Sequence, residues 1–184
     1  MTDFSKLPNV NIWMTHPDLT QIQQVDFPAG YHMRFYQGAE DIDKWVKIQQ
    51  ISDPFITPTA EHFNNSMPGT TEFRSKRIMF LVNPVGQDIG SITAWQTTKL
   101  SKNEIGQIHW VAILPSAQGQ RLAIPMTIAA CQRIVDLGHT KACLSTNTRR
   151  IPALNLYAKL GFRPMFQAID QKEAWAKIAL LIKY

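Results

Sequence analysis

With 184 residues, 45% of them apolar and 18% charged, the chain is long enough for one globular domain with a full hydrophobic core. A net charge of +5, spread out except at Arg149–Arg150, argues against a basic nucleic-acid stripe and leaves a slight attraction for anionic ligands. No apolar run approaches membrane-spanning length, the start "MTDFSKLPNVNIW" lacks a signal-peptide pattern, and Cys131 and Cys143 read as buried free thiols, so the expectation is a cytoplasmic protein with no membrane contact.

Residues 1–29 are polar, carry Pro8, Pro17 and Pro28, and read as an irregular N-terminal arm with at most a helical turn near "LTQIQQ"; residues 30–184 form the domain proper. "YHMRFY" (31–36) alternates as a strand. In "AEDIDKWVKIQQIS" (39–52), Ile42, Trp45, Ile48 and Ile51 share a helical face, and a short helix is expected from Thr59. "RIMFLV" and "GSITAWQTT" are strands joined by the turn "NPVGQD", hence a hairpin. "GQIHWVAIL" (106–114) is the longest strand.

Ile124, Ile128, Cys131 and Val135 then mark a helix, with Pro125 near its start and Gly138 at a left-handed cap. "KACLST" (141–146) reads as a strand. "IPALNLYAKLGF" reads as a helix with Pro152 near its start and Gly161 just past its end. The closing "DQKEAWAKIALLIKY" is read as a helix with Asp170 and Glu173 at capping-box spacing, against a strand reading from the alternation of Ile178, Leu180 and Ile182. This order predicts an α/β fold: a mixed central sheet flanked by helices, in a single domain with an N-terminal arm.

Two blocks carry a family resemblance. "HWVAILPSAQGQRLA" is similar to the strand and Gln/Arg-x-x-Gly-x-Gly/Ala turn of the GNAT superfamily, and "RRIPALNLYAKLGF" resembles that family's helix ending in Leu-Tyr-x-Lys-x-Gly-Phe. The resemblance spans roughly residues 31–166 and implies a GNAT-like mixed sheet and acyl transfer from acetyl-coenzyme A, used as a co-substrate, to an amine. It places the coenzyme pyrophosphate on the turn Gln118, Gly119, Gln120, Arg121, Leu122, Ala123. Ala123 suits the pattern, but Arg121 stands where glycine is usual. Its Cβ would loosen the approach of backbone N–H groups to phosphate, while its guanidinium could offset the loss. The plain alternative is a strand-to-helix joint whose arginine points into water.

The resemblance also implies a bulge near Val111, Ala112 and Ile113, whose backbone N–H groups receive the coenzyme arm and stabilise charge on the acyl oxygen. Tyr157 matches the family tyrosine that approaches the coenzyme sulfur and is the candidate acid; otherwise it is a core tyrosine. His109 is the candidate base, since strand alternation puts it on one face with Gln107, which cannot take a proton, and Trp110 on the other. Its alternative is a histidine that merely bonds a neighbour. Arg150, Asn147 and Asn155 are coenzyme-side candidates.

The five histidines and two cysteines form no metal motif, and no Gly-x-Ser-x-Gly elbow is present, so a metal site and a serine hydrolase are not expected. The leading reading is an N-acetyltransferase acting on a primary amine of a small molecule or peptide. The alternative is a non-catalytic GNAT-like domain that binds coenzyme A or a metabolite. Acceptor and oligomeric state, a homodimer included, stay open at this point.

Overall fold

The computed structural model describes residues 6–53 and 56–183. Seven strands form one sheet: β1 (Asn11–His16), β2 (His32–Phe35), β3 (Ile78–Val82), β4 (Asp88–Thr97), β5 (Ile105–Ile113), β6 (Ala142–Asn147) and β7 (Arg163–Met165). Six helices accompany them: α1 (Glu40–Ser52), α2 (Ala60–Ser66), α3 (Thr71–Ser75), α4 (Ala123–Asp136), α5 (Ile151–Lys159) and α6 (Ile169–Ile178). The strand order is β2-β3-β4-β5-β6-β1-β7, antiparallel throughout except for the parallel pair β5–β6. This is the mixed sheet flanked by helices that the element order predicts.

The alternation of β3 divides the core between the two faces. Met79 and Leu81 join the larger cluster, built on Met126, Cys131 and Ile134 of α4, Leu154 of α5 and Ile178 of α6. Ile78 and Phe80 join a smaller cluster with Trp45 and Ile48 of α1 and Phe63 of α2. Helix starts follow local chemistry: Thr59 and Thr70 accept hydrogen bonds from the N–H groups of His62 and Phe73. Pro125 and Pro152 fall in first turns, where no N–H is needed, and Gly138 and Gly161 take φ values of 91° and 94° beyond helix ends.

The segment expected as an irregular arm holds an inner strand. β1 lies between β6 and β7, with Ile12, Met14 and His16 buried in strict alternation. The prolines that suggested an irregular arm flank the strand and interrupt none of its hydrogen bonds. β7 was not foreseen either; three residues, "RPM", are too short to show a period, and Pro164 is tolerated because β7 is an edge strand. The last segment is helical, but the Asp170–Glu173 capping box does not form. Ala168 is the cap residue and makes no side-chain bond; the Gln171 carboxamide oxygen instead accepts the Gln167 N–H at 2.7 Å.

A partly buried ionic network ties α1 to the sheet. Arg34 bonds both Asp41 (2.8 Å) and Asp88 (2.6 Å), and Lys44 reaches Asp41 at 2.9 Å. Burial alone would raise the Asp41 pKa, but hydrogen bonds from Arg34, Lys44 and the Gln37 N–H pull it down to about 2. α1 is thereby held over the middle of β5, where the site is built.

Candidate active site

β5 and β6 pair only at Gly106↔Ala142 and Gln107↔Cys143 and then separate. Gly106 permits this junction, because a Cβ there would stand 2.2 Å from Ile134 Cγ2. Beyond Gln107 the β6-facing edge of β5 has no strand partner in the described residues. The gap is a cleft of about 780 Å³ between β5, β6, the end of α1 and the start of α5, a volume suited to a cofactor-sized ligand.

Opposite β4, the register of β5 shifts: Thr93 pairs with His109 but Ser91 with Ala112, so β5 carries one extra residue. Trp110 takes a φ of 50°, and its carbonyl accepts a hydrogen bond from Gln49 Nε2 at 3.0 Å; the same amide nitrogen reaches Ser91 Oγ at 3.0 Å. The bulge corrects the expected alternation. His109 faces the same side as Thr93, whose hydroxyl reaches Met67 of the smaller cluster, and Trp110 turns to that cluster too, its ring 4.9 Å from that of Trp45. An inserted residue reverses the side-chain parity of everything after it.

The cleft gathers most of the residues picked out in the sequence. His109, Val111, Ala112, Ile113, Gln118, Asn147, Arg150 and Tyr157 all line it. Gly119, Gln120, Arg121, Leu122 and Ala123 do not line it, and neither does Asn155: its amide donates to Leu181 O at 3.2 Å and accepts from Lys183 N at 2.6 Å, fixing the C-terminal segment instead. Asn147 lines the wall but is spent on Asn9, Asn11 and the Arg149 N–H. Arg150 is ion-paired with Asp53 across the cleft.

At the end of β5, Gln118 folds back to donate to Ile113 O at 2.9 Å. Gly119 and Arg121 both take left-handed φ values, 78° and 61°. The arginine therefore adopts the backbone shape for which glycine is suited, and the turn keeps its form despite the Cβ. Gln120 Oε1 accepts from the Tyr31 hydroxyl at 2.6 Å and Leu122 is buried, so their side chains serve the fold. Their backbone is another matter. Among the described residues nothing accepts from the N–H groups of Gly119 to Ile124, and α4 starts here with no side-chain cap.

Tyr157 is buried, and its hydroxyl makes no hydrogen bond among the described residues. Burial pushes its pKa up to about 12. His109 has Gln107 Nε2 3.4 Å from its Nδ1; burial, and then the charge of Lys99, pushes its pKa down to about 4. The environment thus departs from the neutral-range titration expected of an unperturbed histidine. No group of three or more metal-ligating side chains occurs among the described residues, and no helix among them is long and apolar enough to cross a membrane.

Sequence reading missed Gln49, Asp53, Lys99 and the β1 residues Asn11 and Trp13, all on the cleft walls. Gln49 carried a signal: it falls four residues after Trp45, a polar side chain on an apolar stripe. The others are joined to the site only by the fold.

Residues 85–175, about half the chain, match the family model described as FR47-like protein. Mycothiol acetyltransferase of Thermomonospora curvata is 24% identical over 145 residues, covering 77% of this chain and 47% of that protein. The protein of that name from Pseudarthrobacter chlorophenolicus is 24% identical over 151 residues, covering 77% and 45%. The chain thus spans about half the length of the curated relatives it matches. Among solved structures, a GCN5-related N-acetyltransferase from Sphaerobacter thermophilus superposes with a TM-score of 0.70 at 17% identity, covering 86% of this chain and 49% of that one. A similar likeness, TM-score 0.59 at 16% identity over 87% and 51%, is to a tandem GNAT protein from the clavulanic acid biosynthesis pathway. With its splayed strands, its strand–turn–helix joint and these relatives, the chain belongs to the GNAT superfamily of N-acyltransferases.

Proposed function

We propose that the chain is an acetyl-coenzyme A-dependent N-acetyltransferase that acts on a primary amine. The observation that carries this reading is the meeting, on one cleft, of the free β5 edge at the bulge and the Tyr157 hydroxyl, with the unsatisfied N–H groups of Gly119 to Ile124 following directly on Gln118 of the cleft wall. The residues fit the coenzyme. The 119–124 N–H groups and the positive end of α4 suit a pyrophosphate, with the exposed Arg121 able to add a charge-assisted bond. Acetyl-coenzyme A would supply an acyl thioester.

The chain's own groups then divide the work. Backbone N–H groups on the free edge of β5 around Val111 to Ile113 would polarise the acyl carbonyl; one such donor is worth about 3 kcal/mol of barrier. Tyr157, with its pKa near 12, keeps its proton at neutral pH and would donate it to a leaving thiolate. His109 is neutral at pH 7, the form that accepts a proton from the amine and does not repel an ammonium. Its weak basicity suits a relay to water better than storage of the proton.

Coenzyme binding without turnover is the second reading, and the low basicity of His109 is what favours it. Thermal unfolding with and without acetyl-coenzyme A, with AMP as control, tests the first step. Ligand at a hundred times Kd should add about 2.7 kcal/mol, a rise of roughly 5–10 °C. No rise at millimolar ligand rejects both readings. Release of free thiol on adding amines then separates enzyme from binder.

A further inference from the structure

The cleft has two ends with different charge. At the open end, Gln118 follows β5 and Arg149 and Arg150 follow β6; the rest of the 118–124 turn continues from Gln118 beyond the cleft lining. The closed end lies where β5 and β6 still pair, at Gln107 and Cys143, about 20 Å away by the rise of the strand. Lys99, on the β4–β5 connection, lines this closed end. The connection runs into Ile105, one residue before the first β5–β6 pair, which puts Lys99 on the junction side of the cleft, and its charge acts to lower the pKa of both His109 and Cys143.

Lys99 is exposed and makes no ion pair among the described residues. The one carboxylate among the described residues of the cleft walls, Asp53, is engaged by Arg150. Other unpartnered wall atoms, Ser52 Oγ and Trp110 Nε1, supply no negative charge. Under the proposed function the coenzyme's anionic groups belong to the turn at the open end, so the ammonium of Lys99 stands at the end of the cleft that those groups leave free for the acceptor. A cationic acceptor would be repelled there, and an anionic one would gain a partner.

We infer that the acceptor is an amine that also carries a carboxylate, and that Lys99 is the specificity-determining residue that binds this carboxylate. The inference rests on the acetyltransferase reading. It disfavours polyamines and other polycations as acceptors.

Glycine, β-alanine and 4-aminobutyrate present the carboxylate at three distances from the amine; their primary amides keep the shape without the charge, and 1,4-diaminobutane replaces it with a cation. kcat/KM is measured for each with acetyl-coenzyme A, normalised to the unprotonated amine. At least one acid should exceed its amide by tenfold or more in the wild type. Lys99→Gln should reduce that ratio below threefold, and Lys99→Glu should turn the preference toward the diamine, with the acetyl-coenzyme A thermal shift unchanged in both. In the free protein, NMR titration of His109 should show its pKa rising in Lys99→Gln, because a neighbouring cation is gone. An acid-to-amide ratio that survives Lys99→Gln, a diamine preferred by the wild type, an unmoved His109, or coenzyme binding with no acid acetylated would overturn the inference. Absence of any acetyl-coenzyme A shift would instead overturn the function on which it rests.

Discussion

Gln49 of α1 and Trp110 of β5 are joined by a hydrogen bond of 3.0 Å from a side-chain amide to a backbone carbonyl, at the residue where the strand takes a φ of 50°. A helix side chain thus holds the strand irregularity that frees the β5 edge. Gln49→Met keeps the size but leaves Ser91 Oγ and the Trp110 carbonyl without this donor. Unpartnered buried groups cost about 1–3 kcal/mol, so the melting temperature should fall by roughly 3–10 °C, and acetyl-coenzyme A should stabilise the variant less than the wild type. An unaltered melting curve would show that the bulge stands without Gln49.

Arg121 bears a left-handed backbone at a cost of about 1 kcal/mol for a residue with a Cβ. Arg121→Gly should therefore be more stable than Arg121→Ala by about that amount in urea unfolding. Both lose the guanidinium, so acetyl-coenzyme A affinity should drop in the two if the side chain matters; if backbone approach alone is at stake, the alanine variant should bind like the wild type and the glycine variant more tightly. Isothermal titration of the pair separates the contributions.

Removing the Tyr157 hydroxyl breaks no hydrogen bond among the described residues. Tyr157→Phe should fold with near-wild-type stability and bind acetyl-coenzyme A unchanged, while kcat falls tenfold or more. With its pKa near 12, Tyr157 stays protonated through the assay range, and no alkaline limb below about pH 11 should be traceable to it. A full kcat in Tyr157→Phe would remove it from the chemistry.

His109 binds its proton with a pKa of about 4 in the folded chain, against an ordinary value of 6.5. Between those values the unfolded chain holds the proton and the folded chain does not, so stability rises with pH across this window and is lost as pH falls through it. His16, also lowered by burial, acts in the same direction. Urea unfolding should show a loss of up to about 3 kcal/mol between pH 7 and pH 4 that His109→Gln removes. An identical pH dependence in the variant would place His109 in a more solvated setting.

Legibility in the sequence followed the range of the interactions involved. Long periodic segments such as α4 and β5 declare themselves, because their partners repeat along the chain at fixed spacing. β1 was hidden by flanking prolines although its Ile12-Met14-His16 alternation was present, and β7 was too short to carry a pattern. Tyr157 and the 118–123 turn were picked out as candidates through motif resemblance. Asn155 was misplaced by it, because nothing in the motif says that Leu181 and Lys183 return to occupy that amide.

By itself the sequence determined the α/β class, the strand–turn–helix joint and the candidate acid, all properties of local spacing and residue type. Tertiary structure alone decided the left-handed backbone at Arg121, the bulge that turns Trp110 beside Trp45, the depressed basicity of His109, and the placing of Lys99 at the closed end of the cleft. The reason is physical: strain, strand parity, desolvation and charge proximity arise between segments far apart in the chain, and they exist only once packing has brought those segments together.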